Sequence, residues 1–291
     1  MELWFIWSVV AAVSAGLASF VHKVMAEHQL NVAVVHLYSS VISTVPLGVA
    51  FMVFEDTQTV FTVAALMAAL GAFLYFGTVL LKVAALRQMD TTIFYPLYKL
   101  AGPLIAIMLG IVWFGESFTV YEWVGLTLGM TVPLLLITRE EHQRQNNLVR
   151  GVIIMILAAA TGTVSIALYK YGIEIGGGAW MIAFVAAFSS ALIAYGALMQ
   201  RTGIAVRAYM RQETNRLLIV SSVWLGLIEV VGIVAPVLAF AAGGTIGAVY
   251  TILSIYILIP IVLSIIFYNE HWNARKVVAI VLSIAALGFL R

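Results

Sequence analysis

The sequence contains no cysteine. Disulfides, thiolate metal sites and cysteine nucleophiles are therefore excluded. Charge is scarce as well: Asp, Glu, Lys and Arg make up 10% of the 291 residues, against roughly 25% in ordinary soluble domains. So few charges cannot cover the surface of a water-soluble protein of this length, so lipid must solvate much of its exterior. The formal net charge of +2 and the lack of any basic patch interleaved with aromatics give no footing for a nucleic-acid partner. The five histidines have no metal-binding spacing. There is also no P-loop, no nucleophile–base pair and no aspartate-rich lipid-phosphate motif. No metal, no cofactor and no catalytic residue is expected. An enzyme or a scaffold is the weaker reading beside a carrier.

What the chain has instead is long apolar runs. Hydrophobic residues make up 63% of it, and a spanning helix needs about 20 of them in a row. Ten segments qualify: 3–26, 30–54, 59–86, 91–114, 118–138, 150–173, 178–200, 217–241, 244–268 and 272–290. The runs are too long for strands and do not alternate. The fold class expected is an all-α integral membrane protein of ten transmembrane helices. The first run is too long for a signal-peptide core and no basic residue precedes it, so it reads as the first span.

The chain also resembles itself. Ala11–Gly16 leading to Lys23 and Glu27 matches Ala158–Thr163 leading to Lys170 and Glu174, an offset of about 147. Farther on the offset is about 154: Thr91 with Thr245, Glu116 with Glu270, Gly125 and Gly129 with Ala279 and Ser283. The small residues four apart mark a close-packing face in helices 5 and 10. The expected organisation is a first five-helix repeat over 1–138, a connecting loop over 139–149 and a second repeat over 150–291. Five is odd, so the second copy must lie inverted in the bilayer, a recurring design of secondary transporters with the substrate site between the halves.

Connections after odd-numbered helices carry Arg87, Arg139, Arg144, Arg150, Arg201, Arg207, Arg211, Arg216, Arg275 and Lys276. The opposite side has little beyond Lys170 and Arg291, and carries Glu55, Asp56 and Glu116. The positive-inside rule places the arginine-rich side in the cytoplasm and both termini outside, in a cell membrane crossed many times.

Phe114-Gly-Glu116-Ser-Phe-Thr119 followed by Trp123-Val-Gly125 resembles the pattern closing each repeat of the EamA-like drug/metabolite transporter superfamily. Tyr268-Asn-Glu270 and the helix from Trp272 to Leu290 look like its second copy. Pro96, Pro103 and Pro260 sit where such chains carry prolines. The resemblance spans the whole chain. It implies a carrier that moves small metabolites by alternating access without ATP hydrolysis, with export as the expected direction. One departure stands out. The family's basic residues between helices 2 and 3 and between helices 4 and 5 are missing from 54–59 and 115–118, so the charges argue for the opposite insertion.

Ionisable residues inside membrane segments are costly and face a cavity or a partner. Glu229, near the middle of helix 8, is the first candidate, for a substrate amine or a coupling proton. Glycines and Pro236 around it suggest a locally irregular helix. Lys99, in a proline-bent stretch of helix 4, is the best partner candidate for Glu229, as a gate, an anion site or a packing pair. Lys82 is expected to snorkel to the interface, and Lys23 and Lys170 to act as interfacial anchors. His36 is a candidate gate residue, although a satisfied core histidine is commoner. Among the aromatics, Tyr75, Tyr98 and Trp224 are expected to line the cavity; Trp7, Tyr38, Tyr250 and Tyr256 stay unassigned. The partners expected are a lipid bilayer and a small-molecule substrate, and a homodimer is compatible with the sequence. A cavity with both charge signs suits an amino acid or similar zwitterion or amine, unless Glu229 and Lys99 neutralise each other. The rival is an anionic phosphorylated metabolite held by Lys82 and Lys99.

Overall fold

The computed structural model describes residues 2–28, 30–55, 63–86, 88, 91–135, 148–202, 215–257 and 274–290. Lying outside it are the side chains of Lys23 and Glu27, the motif residues Pro260, Tyr268–Glu270 and Trp272, and most of the arginine-rich connections.

Each of the ten apolar runs holds a helix: α1 (Leu3–Glu27), α2 (Val32–Phe54), α3 (Val63–Leu86), α4 (Thr91–Trp113), α5 (Val120–Leu135), α6 (Leu148–Glu174), α7 (Ala179–Thr202), α8 (Arg216–Ala241), α9 (Ile246–Ser254, continued by a 3₁₀ turn Ile255–Ile257) and α10 (Ala274–Phe289). Among the described residues there is no strand. Seven of the ten are long and apolar enough to cross a membrane; α5 and α10 are shorter, with 16 residues each. Within its described length α9 is shorter still.

The starts are written locally. Asn31, Asn215 and Thr245 cap α2, α8 and α9 by accepting from the amides of Val34, Leu218 and Ala248. Before α5, Thr119 and Glu122 bond reciprocally, the carboxylate reaching the Thr119 amide at 2.7 Å.

Helices pack mostly across the two halves of the chain. α3 lies on α6 and α1 on α8; α2 lies on α7 and α8; α3 also touches α7; α4 meets α6 and α9; α1 also meets α9; α5 lies on α10. Small residues make these approaches close. The Ser165 hydroxyl donates to the Gly71 carbonyl at 2.7 Å between α6 and α3. A Cβ at Gly125 would lie 2.8 Å from Leu290 Cγ, so the α5 face read from the sequence does pack on α10. Among the described residues, α5 and α10 are the helices that contribute nothing to the cavity left among the others.

The expected irregularity around Glu229 does not occur: α8 is continuous from Arg216 to Ala241 with Pro236 inside it. Proline forfeits one backbone bond and crowds the preceding turn, and here the helix runs on through it.

Candidate functional site

Eight helices surround a cavity of about 240 Å³. Its lining follows helical stripes: Tyr75, Thr78 and Lys82 on α3; Tyr95, Tyr98 and Lys99 on α4; Gly162, Ile166 and Tyr169 on α6; Glu229, Gly232, Ile233 and Pro236 on α8. Spacings of three, four and seven residues put each set on one side of its helix. α1 and α2 add Ser14, Ser19, His36 and Ser40, and the α9 segment adds Tyr250, Ser254 and Tyr256.

The cavity has two chemically distinct poles. At one, Lys82 Nζ lies 4.6 Å from the centre of the Tyr98 ring and Lys99 Nζ 5.2 Å from it. Lys99 also sits 3.6 Å from the centre of the Tyr256 ring. Phe94 stacks on Tyr98 at 5.5 Å and holds that platform in place. Ring faces attract ammonium groups, but they carry no net charge to offset one. Among the described residues no carboxylate comes within ion-pairing distance of either lysine. At the other pole Glu229 Oε1 lies 3.9 Å from His36 Nδ1, and Ser39 is a further polar neighbour of the carboxyl. His36 is buried, and its Nε2 has no hydrogen-bond partner among the described residues. Tyr75 lies between the poles, close enough to interact electrostatically with Glu229 on one side and with Tyr98 and Tyr256 on the other.

The expected Glu229–Lys99 pair is therefore not formed; histidine takes that place beside the carboxyl. Lys82 does not snorkel but turns into the cavity, because it follows Tyr75 and Thr78 on the same stripe. His36 is not the satisfied core histidine that is commoner. Trp224 is misplaced by the sequence reading. It is 60% exposed and lines a shallow outer groove with Val9, Val13 and Leu17. Five residues from Glu229 is about 140° around the helix, which turns it away from the cavity. Sequence reasoning missed Tyr95 and Tyr169 and left Tyr250 and Tyr256 unassigned; the stripe spacing from Lys99 and Gly162 was the signal for the first two.

At the end of the bundle where α2, α4 and α6 finish, Glu55, Glu116 and Lys170 meet partners from other helices. Gly115, at φ +64°, ends α4 in the left-handed region where glycine costs least. Glu116 then turns inward: Oε1 accepts from the Ile246 amide at the start of α9 (2.7 Å) and pairs with Lys170 Nζ at 3.3 Å. Lys170 also pairs with Glu174 and lies 4.3 Å from the Phe114 ring centre. Lys170 is thus buried in a lock, and the expectation of an interfacial anchor is corrected. Glu55, just beyond α2, accepts from the Trp180 and Met181 amides at the start of α7 (2.7 and 2.9 Å). Both acids satisfy orphan amides at a helix start and complement its dipole.

The model of the EamA-like transporter family matches residues 2–138, which hold α1–α5. Over that stretch, just under half of its length, the chain is similar to the EamA-like transporter family. Its Phe114-Gly-Glu116 motif is the segment that builds the lock on α9 and α6. The fold of the chain as a whole is shared with a solved crystal structure at a TM-score of 0.75, with 97% of each chain covered and 11% identity, a likeness that shows the fold alone. No curated protein matches the chain. That family is one of membrane transporters, and the chain itself is a multi-pass helical membrane protein.

Proposed function

We propose that this EamA-like protein is a secondary transporter for a small zwitterionic metabolite, an amino acid or a close relative, working by alternating access. The observation that carries the reading is one cavity with two lysines at one pole, without a carboxylate partner among the described residues, and a carboxyl at the other, the two not neutralising each other. A bound zwitterion would supply the missing partner at each pole. The volume of about 240 Å³ falls below the ~300–1,000 Å³ of drug-sized sites, which favours a metabolite over a drug.

Two five-helix halves, 1–138 and 150–291, form the moving parts in this reading, the second inverted relative to the first. The packing supports it. Exchanging each helix with its counterpart five positions on turns the α1–α8 contact into α6–α3, α2–α8 into α7–α3 and α1–α9 into α6–α4, all of which occur. The Glu55 and Glu116 contacts would close the end opposite the arginine-rich connections, and their release would open it. On the positive-inside rule that closed end faces outward from the cytoplasmic membrane, and both termini lie on the same side.

The test is ligand-dependent thermal stabilisation of the purified protein by amino acids, amines, nucleobases and sugar phosphates, repeated with Glu229→Gln. Stabilisation by an amino acid that the substitution abolishes is the expected result, followed by loss of that compound from preloaded vesicles. Stabilisation confined to sugar phosphates, unchanged by Glu229→Gln, would replace this reading with a second one. That alternative, an anionic phosphorylated metabolite, has its own support: both Lys82 and Lys99 face the cavity without a carboxylate partner. It requires Lys82→Gln and Lys99→Gln each to abolish binding.

A further inference from the structure

The cavity's cationic pole holds two lysines where a simple amino acid needs one. Lys82 and Lys99 approach the same ring, Tyr98, at 4.6 and 5.2 Å from its centre, so their ammonium groups are no more than about 10 Å apart. Two like charges in a lipid-embedded cavity repel, and each is costly to remove from water without a counter-charge. Lys170 shows what this fold does when a buried lysine is structural: it is given two carboxylates and an aromatic face. Among the described residues Lys82 and Lys99 receive rings alone. At the far pole there is, among the described residues, one carboxyl, Glu229, with His36 at 3.9 Å and with His36 Nε2 lacking a hydrogen-bond partner there.

Resting on the zwitterion reading, we propose that the substrate is an acidic zwitterion, with two negative charges held by Lys82 and Lys99 and one ammonium group held by Glu229. A neutral amino acid would leave one lysine without a counter-charge. A simple dicarboxylate would leave Glu229 unmatched. A diamine would meet the lysines as like charges. Two sources fit the charge pattern: a dicarboxylic amino acid, or an amine bearing a dianionic phosphate or phosphonate. Tyr75, between the poles, is then the wall along which the connecting carbon chain lies, and Tyr98 the platform that fixes the spacing of the two cations.

The experiment compares apparent affinities on the purified full-length protein, from dose-dependent thermal stabilisation by L-glutamate, L-glutamine, glutarate and phosphoethanolamine. The expected result is that glutamate or phosphoethanolamine binds at least about tenfold more tightly than glutamine, as a further charge-assisted contact requires; whichever of the two binds better names the source. Glutarate should bind at least about tenfold more weakly than glutamate for want of the ammonium group. Lys82→Gln and Lys99→Gln should each bring the glutamate-to-glutamine ratio close to one. Glutamine binding as tightly as glutamate would overturn the acidic-zwitterion inference while leaving the zwitterion site intact. Glutarate matching glutamate, with Glu229→Gln without effect, would overturn both. A folded wild-type protein that none of the four compounds stabilises would overturn the acidic-zwitterion inference. The wild-type comparison decides the matter even where a lysine variant does not fold.

Discussion

Lys99 and Lys170 are the same residue type, each buried in the bundle at 7% and 8% exposure, yet they live in opposite worlds. Lys170, near the end of α6, has Glu116, Glu174 and the Phe114 ring around it. Lys99, in the middle of the bundle, has among the described residues only the rings of Tyr98 and Tyr256. Among the described residues, Glu55, Glu116 and Lys170 at the closed end have partners, while the cavity lysines meet no carboxylate. In a membrane protein a buried charge therefore means structure or function according to whether the fold itself completes it.

The sharpest way to break this contrast is to remove each lysine in turn. Lys170→Gln strands Glu116 beside a single amide and should destabilise the protein by about 3 kcal/mol or more, seen as a large fall in thermal midpoint in detergent. Lys99→Gln removes a charge that has no partner, so stability should hold or rise while ligand affinity collapses. If the two variants melt alike, the division between a locked end and an open site is wrong.

Next in size is the packing that sets the carboxyl pole. A Cβ at Gly226 would lie 2.8 Å from Ile42 Cβ and 2.9 Å from the Ser39 carbonyl oxygen. Gly226→Ala should cost about 1–3 kcal/mol through overpacking and push α8 away from α2, weakening ligand binding as well. Gly77→Ala on α3, where a Cβ would meet nothing within 4 Å, should leave the melting temperature unchanged or slightly raised. A large loss at Gly77 would mean that its open space is occupied by something the protein needs.

Glu229→Gln keeps the shape of the carboxyl and removes its charge. A drop of about tenfold or more in affinity for amine-bearing ligands, at constant stability, is expected and read from the same stabilisation curves. The smallest effect belongs to Trp224→Ala, which should change binding less than about twofold, because that ring lies on the outer groove. A larger loss there would extend the site beyond the cavity.

Much of this was legible before any coordinates. Ten apolar runs gave ten helices, because hydrophobic length is a local property and a bilayer leaves the backbone few alternatives. Glu229, Lys99, Tyr75 and Tyr98, singled out from the sequence, all line the cavity, since polar groups in apolar helices have few other places to go. Rotational phase was harder to read. A helix that is apolar all round has no polar stripe to mark its lipid side, and each residue turns the side chain by about 100°. That is why Trp224 was assigned inward and Lys82 outward.

The sequence by itself determined the membrane, the helices, their caps and the reserve of charges. Only the tertiary structure decided which charges meet. Glu116 finds Lys170 and the start of α9 through Gly115's left-handed turn, and Glu229 finds His36 rather than Lys99. Such pairings join helices far apart in the chain, and they depend on the facing angle of each helix, a quantity fixed by packing against its neighbours and not by its own residues alone.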